Sequence, residues 1–294
     1  MTIDLGPVGI WTFTLDLVPT PEGQAHVREL EALGYGAVWT PEAVGRDPLS
    51  GSAILLAGSE RIVIATGIAS IYSRDAMNMN AAHRTVTEAF PDRFLLGLGV
   101  SHQPMVAGLR GHDYSKPYSA MKQYLDAMDS SLFMAAQPTT EPQRVLAALG
   151  PKMLELAKDK AQGALPYFVP VEHTAVAREA LGPDRLLAVE LAVVLETDPT
   201  RAREIAKNHT QIYTPLPNYT NNLRRFGFED ADFENNGSDR LIDAIVAWGD
   251  LDSIAARVKA HHDAGADHVC VQVITEDAAP PVEAWRALAP VLLG

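Results

Sequence analysis

The chain has 294 residues, 47% of them apolar and 21% charged, with a formal net charge of -13 at pH 7. This is an ordinary globular composition, long enough to bury a core without disulfides or metals. The acidic balance argues against a nucleic-acid or anionic-membrane surface, which needs clustered Lys and Arg, but leaves room for an anionic small molecule at a helix N-terminus.

Cys270 is the one cysteine. No internal disulfide and no cysteine zinc cluster can form, and "HVCVQVI" makes Cys270 a small buried hydrophobe. The opening "MTIDLGPVGIWTF" has no basic region ahead of a long apolar stretch, and no apolar run reaches the roughly 20 residues of a bilayer span. A cytoplasmic protein is expected. The sequons at Asn208, Asn218 and Asn236 then carry no further meaning.

In chain order, "VGIWTF" (8–13) is the first candidate strand. A helix follows in "PEGQAHVRELEALGYG", with apolar Ala25, Val27, Leu30 and Leu33 on one face and Gly34 or Gly36 as its end. "GAVWT" (36–40), "RIVIATGI" (61–68) and "RFLLGLGV" (93–100) are the next strands. After a longer segment, 101–143, come "RVLAAL" (144–149), the helical "KMLELAKDKAQG" and the strand "GALPYF" (163–168). The helical "VEHTAVAREALGPD" precedes "LLAVELAVVLE" (186–196). Asp198-Pro199 starts another helix, within a second long segment, 199–250. "DSIAARVKAHHDAGADH" opens on Asp252 or Ser253 as N-cap and closes at Gly265. The last strand is "HVCVQVI" (268–274).

These strands are continuous apolar runs rather than alternations, as in parallel strands covered on both faces. Eight of them alternating with helices over about 270 residues is the size of a (β/α)8, or TIM, barrel. A doubly wound sheet is the rival. No composition break marks a second domain, so residues 1–294 are expected to form one.

The stretch "DRFLLGLGVSHQP" (92–104) carries two glycines that invite a nucleotide reading. A dinucleotide fingerprint requires G-x-G-x-x-G/A opening a helix. After Gly97 and Gly99 the third position is His102, and the glycines lie inside the apolar run. No P-loop occurs anywhere. Glycines inside a strand permit close approach, by a neighbour or by a flat ligand.

"FPDRFLLGLGVS" (90–101) resembles the fourth-strand signature of luciferase-like oxidoreductases. "ERIVIATGIAS" (60–70) is similar to their third strand, "LEALGYGAVWTPEAVGRDP" (30–48) to their second unit, and "LAALGPKMLELAKDKAQGA" (146–164) to their fifth-strand turn and helix. "HHDAGADHVCVQV" fits their eighth unit. The resemblance spans nearly the whole chain, and "WTPEAVGRDP" and "GLGVSH" bring it closest to the actinobacterial branch that uses the deazaflavin coenzyme F420. The resemblance implies an F420-dependent oxidoreductase that transfers a hydride to or from a small organic substrate, and a homodimer formed through helices beside strands two to four. The alternatives are an FMN-dependent monooxygenase on the same barrel and a barrel that binds cofactor without turnover. An aldolase lacks support, because no lysine sits at a strand end.

Barrel chemistry belongs at the C-terminal ends of the strands. Those ends hold Trp11, Thr12 and Phe13, then Thr40 and Glu42, then Gly67, Ile68 and Ser70. Ser101, His102, Leu149, Gly150, Tyr167, Glu196 and Gln272 follow. The resemblance implies a cis peptide at Gly67–Ile68 that supports the redox ring from behind; a plain trans strand end is the alternative. "ALGPKM" is the expected phosphate turn, formed by Leu149, Gly150, Pro151 and Lys152 at a helix start, with His173 or Thr174 nearby. His102 stands where sugar-phosphate dehydrogenases of the family carry a glutamate acid. Imidazole keeps acid/base chemistry in reach, but the departure puts that substrate in doubt. Glu42 is the second titratable candidate and otherwise a solvated loop acid. Thr40 is expected to bond the cofactor edge, with Ser101 beside it. Trp11 and Phe13 are expected to wall the site and Trp39 to pack the barrel. His83 reads as surface or interface. His261 and His262, adjacent on a helix, point apart, and no metal is expected. Arg110, His112, Tyr114 and Lys116 are a candidate group for a polar or anionic substrate, or else a solvated loop.

Overall fold

The structure is a computed structural model and describes residues 3–294. Ten strands form one parallel sheet: β1 (Val8–Trp11), β2 (Ala37–Thr40), β3 (Val63–Thr66), β4 (Ala69–Ser70), β5 (Phe94–Gly99), β6 (Gln143–Leu146), β7 (Gly163–Ala164), β8 (Leu186–Val194), β9 (Val246–Trp248) and β10 (His268–Val273). The order runs β10-β1-β2-β3-β5-β6-β7-β8, and β10 also pairs with β8, so the sheet closes on itself. Closure excludes the doubly wound alternative, which has open edges. The eight staves and outer helices make a TIM barrel.

Two staves depart from the simple count. β3 and β4 share one stave, broken at a cis peptide between Gly67 and Ile68. β9 arises inside the segment 199–250, where no strand was expected, and pairs with the upper part of β8, Ala192 opposite Val246.

Each strand buries both faces, with alternate residues on each. On β8, Leu187, Val189, Leu191 and Val193 belong to the shell packed under the helices. Ala188 points into the barrel beside Trp39, Val63, Leu95, Val145 and Cys270. Cys270 is fully buried there, as its apolar context predicts.

Gly97 and Gly99 follow from packing between neighbouring staves. A Cβ at Gly97 would collide with the Thr66 carbonyl, and one at Gly99 would lie 2.5 Å from the Ile68 side chain. Thr66 Oγ1 donates to the Gly97 carbonyl at 2.7 Å and accepts from the Gly97 N–H at 2.9 Å. The neighbour, not a nucleotide, is what the two glycines admit.

Several boundaries are shorter than expected. The run 163–168 is a strand only over Gly163–Ala164, because Pro166 has no N–H to give and Phe168 is left-handed at φ 61°. The first strand stops at Trp11, and a 3-10 turn over Thr14–Leu17 follows. The helix Leu251–Asp263 is capped by Asp250, whose carboxylate accepts the Ser253 N–H at 2.9 Å, rather than by Asp252 or Ser253.

Candidate active site

A cavity of about 1170 Å³ opens at the carboxyl ends of the strands. Its floor is built around Gly67–Ile68. Trp11 Nε1 donates to the Gly67 carbonyl at 2.9 Å, and the Gly67 N–H donates to the Thr40 carbonyl at 2.8 Å. A side chain at Gly67 would place its Cβ 2.7 Å from the Trp11 indole nitrogen, so only glycine fits under that ring.

Glu42 fastens the segment beyond the break. Its N–H donates to the Ile68 carbonyl at 3.0 Å, and Oε2 accepts the Ser70 N–H at 2.7 Å. Both oxygens take the Arg74 guanidinium, at 3.0 and 2.9 Å, and Arg74 also reaches Asp47 at 2.8 Å. The Glu42 side chain is only 7% exposed. The expectation of a solvated acid is therefore corrected. The carboxylate thereby ties the loop after β2 to the segment beyond the break.

An aromatic wall rises from the floor. Trp11 packs on Tyr167 at 5.4 Å between ring centroids, Tyr167 on Tyr213 at 5.3 Å, and Tyr213 on His209 at 5.0 Å and Tyr219 at 5.4 Å. Tyr219 meets His102 at 5.3 Å. The Tyr167 and Tyr213 hydroxyls lie 2.7 Å apart, and Tyr167 donates to Gln272 Oε1 at 2.8 Å. Such contacts fix flat rings without charge.

His102 brings an imidazole to the cavity wall. Nε2 lies 3.4 Å from the Tyr219 hydroxyl, while Nδ1 is buried without a partner. Burial lowers its pKa below the usual imidazole value, with the nearby Asn218 side chain as a smaller opposing influence. Next to it, Ser101 adopts φ 54°, and its carbonyl accepts the Tyr114 hydroxyl at 2.8 Å.

Gly150 precedes the helix Pro151–Lys160. Leu149, Gly150, Pro151 and Lys152 all line the cavity. Met153 and Leu154 give the first helical N–H groups to the Gly150 carbonyl, so the Lys152 N–H stands ahead of the helical ladder. Arg225 faces this turn, its Nη1 3.1 Å from where a Gly150 Cβ would sit. Helix start, lysine and guanidinium converge here, a combination that could hold an anion.

Beneath the wall, Glu190 points into the barrel. Its Oε2 accepts the Phe168 N–H at 3.2 Å and Oε1 has no partner. Burial raises its pKa to about 8. Phe168 packs in turn on Tyr213, at 4.9 Å.

Of the expected site residues, Trp11, Phe13, Glu42, Gly67, Ile68, Ser101, His102, Tyr167 and Gln272 also line the cavity. Thr40 does not: Ala37 and Trp39 face the barrel interior, so the alternation turns Thr40 away. Glu196 instead accepts the Asp198 N–H at 2.9 Å. His173 holds the Leu149 carbonyl at 2.9 Å from behind, and Thr174 bonds His261 at 2.8 Å. His83 is 4% exposed and packs edge-on against Phe94, which corrects the surface reading. Arg110 sits 3.8 Å from Glu42, and neither His112 nor Lys116 lines the cavity. The sequence leads 101–120 and 210–240 to be expected as the segments that shape the substrate pocket. Tyr213, Tyr219 and Arg225 from the second do line the cavity, as does His209 just before it, though none of the four was singled out as a residue. The one signal there was "LRRFG", an arginine pair in an acidic chain. Among the described residues, no group of three or more His, Cys, Asp or Glu is placed to hold a metal ion, and no helix is long and apolar enough to cross a membrane.

Fold and site together define a (β/α)8 barrel with a deep cavity at its carboxyl rim, floored by an interrupted third stave. The sequence profile of the family described as "Luciferase-like monooxygenase" matches residues 15–268, and the chain belongs to that family. A Mycobacterium tuberculosis protein named "Putative coenzyme F420-dependent oxidoreductase" is 24% identical over 91% of this chain and 94% of its own length. The fold is similar to that of an F420-dependent secondary alcohol dehydrogenase in complex with an F420-acetone adduct, at a TM-score of 0.77 and 13% identity over 99% of each chain. It is also similar to the oxygenating constituent of 3,6-diketocamphane monooxygenase from Pseudomonas putida in complex with FMN, at a TM-score of 0.67 and 14% identity over 97% of this chain and 98% of that one.

Proposed function

We propose that the protein is a coenzyme F420-dependent oxidoreductase acting on a small organic substrate. The observation that carries the proposal is the joining of two features in one cavity: an anion site at Gly150–Lys152 with Arg225, and an aromatic wall above Gly67–Ile68. A planar redox group with a phosphate arm needs both. The likeness to the Mycobacterium protein favours F420 over FMN.

The residues fit such a group. Gly150 leaves open the space that a Cβ would occupy beside Arg225, and Arg225 makes no ion pair among the described residues. Trp11, Gly67, Ile68 and Ser101 hold the ring, and Leu149, Gly150, Pro151, Lys152 and Arg225 hold the phosphate. When bound, the deazaflavin gives or accepts a hydride. The protein orients the reactants and excludes water. In alcohol oxidation His102, neutral and buried, takes the hydroxyl proton and becomes imidazolium; in the reverse direction that imidazolium returns the proton to the carbonyl oxygen. The Tyr219 hydroxyl fixes the imidazole. Glu42 and Arg74 hold the floor.

In this reading the chain is one domain and works in the cytoplasm as a homodimer. The helices Pro48–Ala57 and Ala76–Ala89 carry the exposed apolar residues Ile54 and Met77, which suit a subunit contact there. FMN-dependent monooxygenation is the second reading, since the same anion site serves a phosphomonoester and one solved relative holds FMN.

Fluorescence titration of the purified protein with F420 and with FMN tests the proposal. Saturable F420 binding tighter than FMN binding supports it. Tight FMN binding without F420 binding reverses it.

A further inference from the structure

We propose that Tyr114 is a positioning residue for the proposed reaction: its hydroxyl, by closing the segment 101–114 onto Ser101, holds the His102 imidazole in its place on the cavity wall. This rests on the proton role given to His102 above.

His102 follows β5 and belongs to no strand or helix, so no ladder of backbone bonds fixes it. Two sets of contacts do so instead. On one side, the His102 carbonyl accepts the N–H groups of Met105 and Val106 at 3.0 and 2.9 Å, where the π-helical turn Pro104–Leu109 begins. On the other side, the Ser101 carbonyl accepts the Tyr114 hydroxyl at 2.8 Å. That carbonyl and the His102 N–H share one planar peptide unit, so holding the first orients the second. Ser101 is left-handed at φ 54°, a conformation that a residue with a Cβ keeps only where its surroundings enforce it. The groups that face the imidazole, the Tyr219 hydroxyl at 3.4 Å and the Asn218 amide, are uncharged near neutral pH. A contact of 3.4 Å is long for a hydrogen bond, so the backbone carries most of the ring's placement.

Tyr114 is itself firmly held. Asp113 forms a turn around it, accepting the Ser115 N–H at 2.8 Å and the Ser115 hydroxyl at 2.9 Å, and the helix Pro117–Asp129 begins just beyond. The Tyr114 ring packs on Tyr72 at 5.8 Å between centroids. Tyr72 donates its N–H to the Ser70 hydroxyl at 3.2 Å, and Ser70 is the residue whose N–H Glu42 takes. Tyr114 therefore joins the His102 loop to the fastened segment beyond Gly67–Ile68. A base displaced from its place beside the cofactor reaches its proton poorly, which is what this link prevents.

NMR titration of the histidine ring signals with pH tests the inference, with His102→Ala identifying the His102 signals by their loss. Burial holds the His102 pKa below 6.5, so release of the ring toward solvent raises it. Tyr114→Phe removes the hydroxyl and keeps the ring that packs on Tyr72. It is expected to shift the His102 signals and to move their titration midpoint up toward 6.5. The signals of the buried His83, His261 and His268 are expected to stay in place, the mark of an intact fold. Tyr118→Phe removes another hydroxyl of the cavity wall, one without a hydrogen bond among the described residues, and is expected to leave every histidine as in wild type. His102 signals that match wild type in Tyr114→Phe, that move equally in Tyr118→Phe, or that move only together with all the other histidines overturn the inference alone. Protein that binds neither F420 nor FMN overturns the proposed function, and with it the reaction for which Tyr114 positions the ring, even where the His102 signals move.

Discussion

The Tyr219 hydroxyl stands 3.4 Å from His102 Nε2, and burial keeps that imidazole neutral at pH 7. A residue of the unpatterned segment after β8 thus holds the imidazole that follows β5. The neutral ring is the base form. Alcohol oxidation is expected to be independent of pH near 7 and to fall only as pH drops through an imidazole pKa below 6.5. His102→Ala is expected to remove that acid limb and lower kcat by roughly a hundredfold or more, with F420 affinity kept. A pH–rate profile of both proteins checks this. Turnover that survives the substitution points to another proton carrier.

Arg225 and Lys152 are expected to set the affinity for the cofactor phosphate. Arg225→Ala is expected to weaken F420 binding about tenfold, the scale of one charge-assisted contact. The neighbouring Arg224 is already paired with Asp230, so Arg224→Ala is expected to leave affinity unchanged. Equilibrium titration of the two variants separates the adjacent arginines.

Glu190 gives the stability of the barrel a distinctive pH dependence. Burial raises its pKa from 4.5 to about 8. Below pH 4.5 both folded and unfolded chains hold the proton. Above it the unfolded chain ionises first, so the folded state loses stability as pH rises toward 8. At pH 7 this amounts to about 3 kcal/mol. Glu190→Gln removes the ionisation, so its stability relative to wild type is expected to improve by about that much between pH 4.5 and 7. Urea unfolding at the two pH values measures it. A gap that does not change with pH contradicts the assignment.

The Glu42–Arg74 pair is expected to be structural. Arg74→Met leaves a buried carboxylate uncompensated and is expected to cost about 3 kcal/mol. Thermal unfolding with and without F420 checks this, because a floor that Glu42 positions is expected to lose cofactor affinity along with stability.

The sequence carried the barrel because its strands are buried on both faces and leave unbroken apolar runs. It carried the place of Trp11, His102 and Gly150 on the cavity wall, because strand ends and a proline-led helix start are local signals. Thr40 was misplaced by one step of the alternation, which a four-residue strand leaves open to either register. Glu42 was misjudged because its partner, Arg74, lies 32 residues on and pairs with it only after the third stave is laid down. Tyr213, Tyr219, His209 and Arg225 were missed for a different reason. Tyr213 lies in a turn, Tyr219 on the short helix Pro217–Leu223 and Arg225 in a 3-10 turn, none with a sustained period, while His209 ends the helix Pro199–Thr210; only the closed barrel brings the four over the cavity. Glu190 was hidden within the apolar run "LLAVELAVVLE", where one carboxyl gives no sign of which way it points.

The central claim is that one rim cavity holds a planar ring over Gly67–Ile68 and its phosphate at Gly150. A crystal structure of the protein soaked with F420 tests this most directly. The account predicts the tricycle against Trp11 and Ile68, with the phosphate between the Lys152 N–H and the Arg225 guanidinium. Ring density outside this cavity, or a phosphate remote from Arg225, would contradict it.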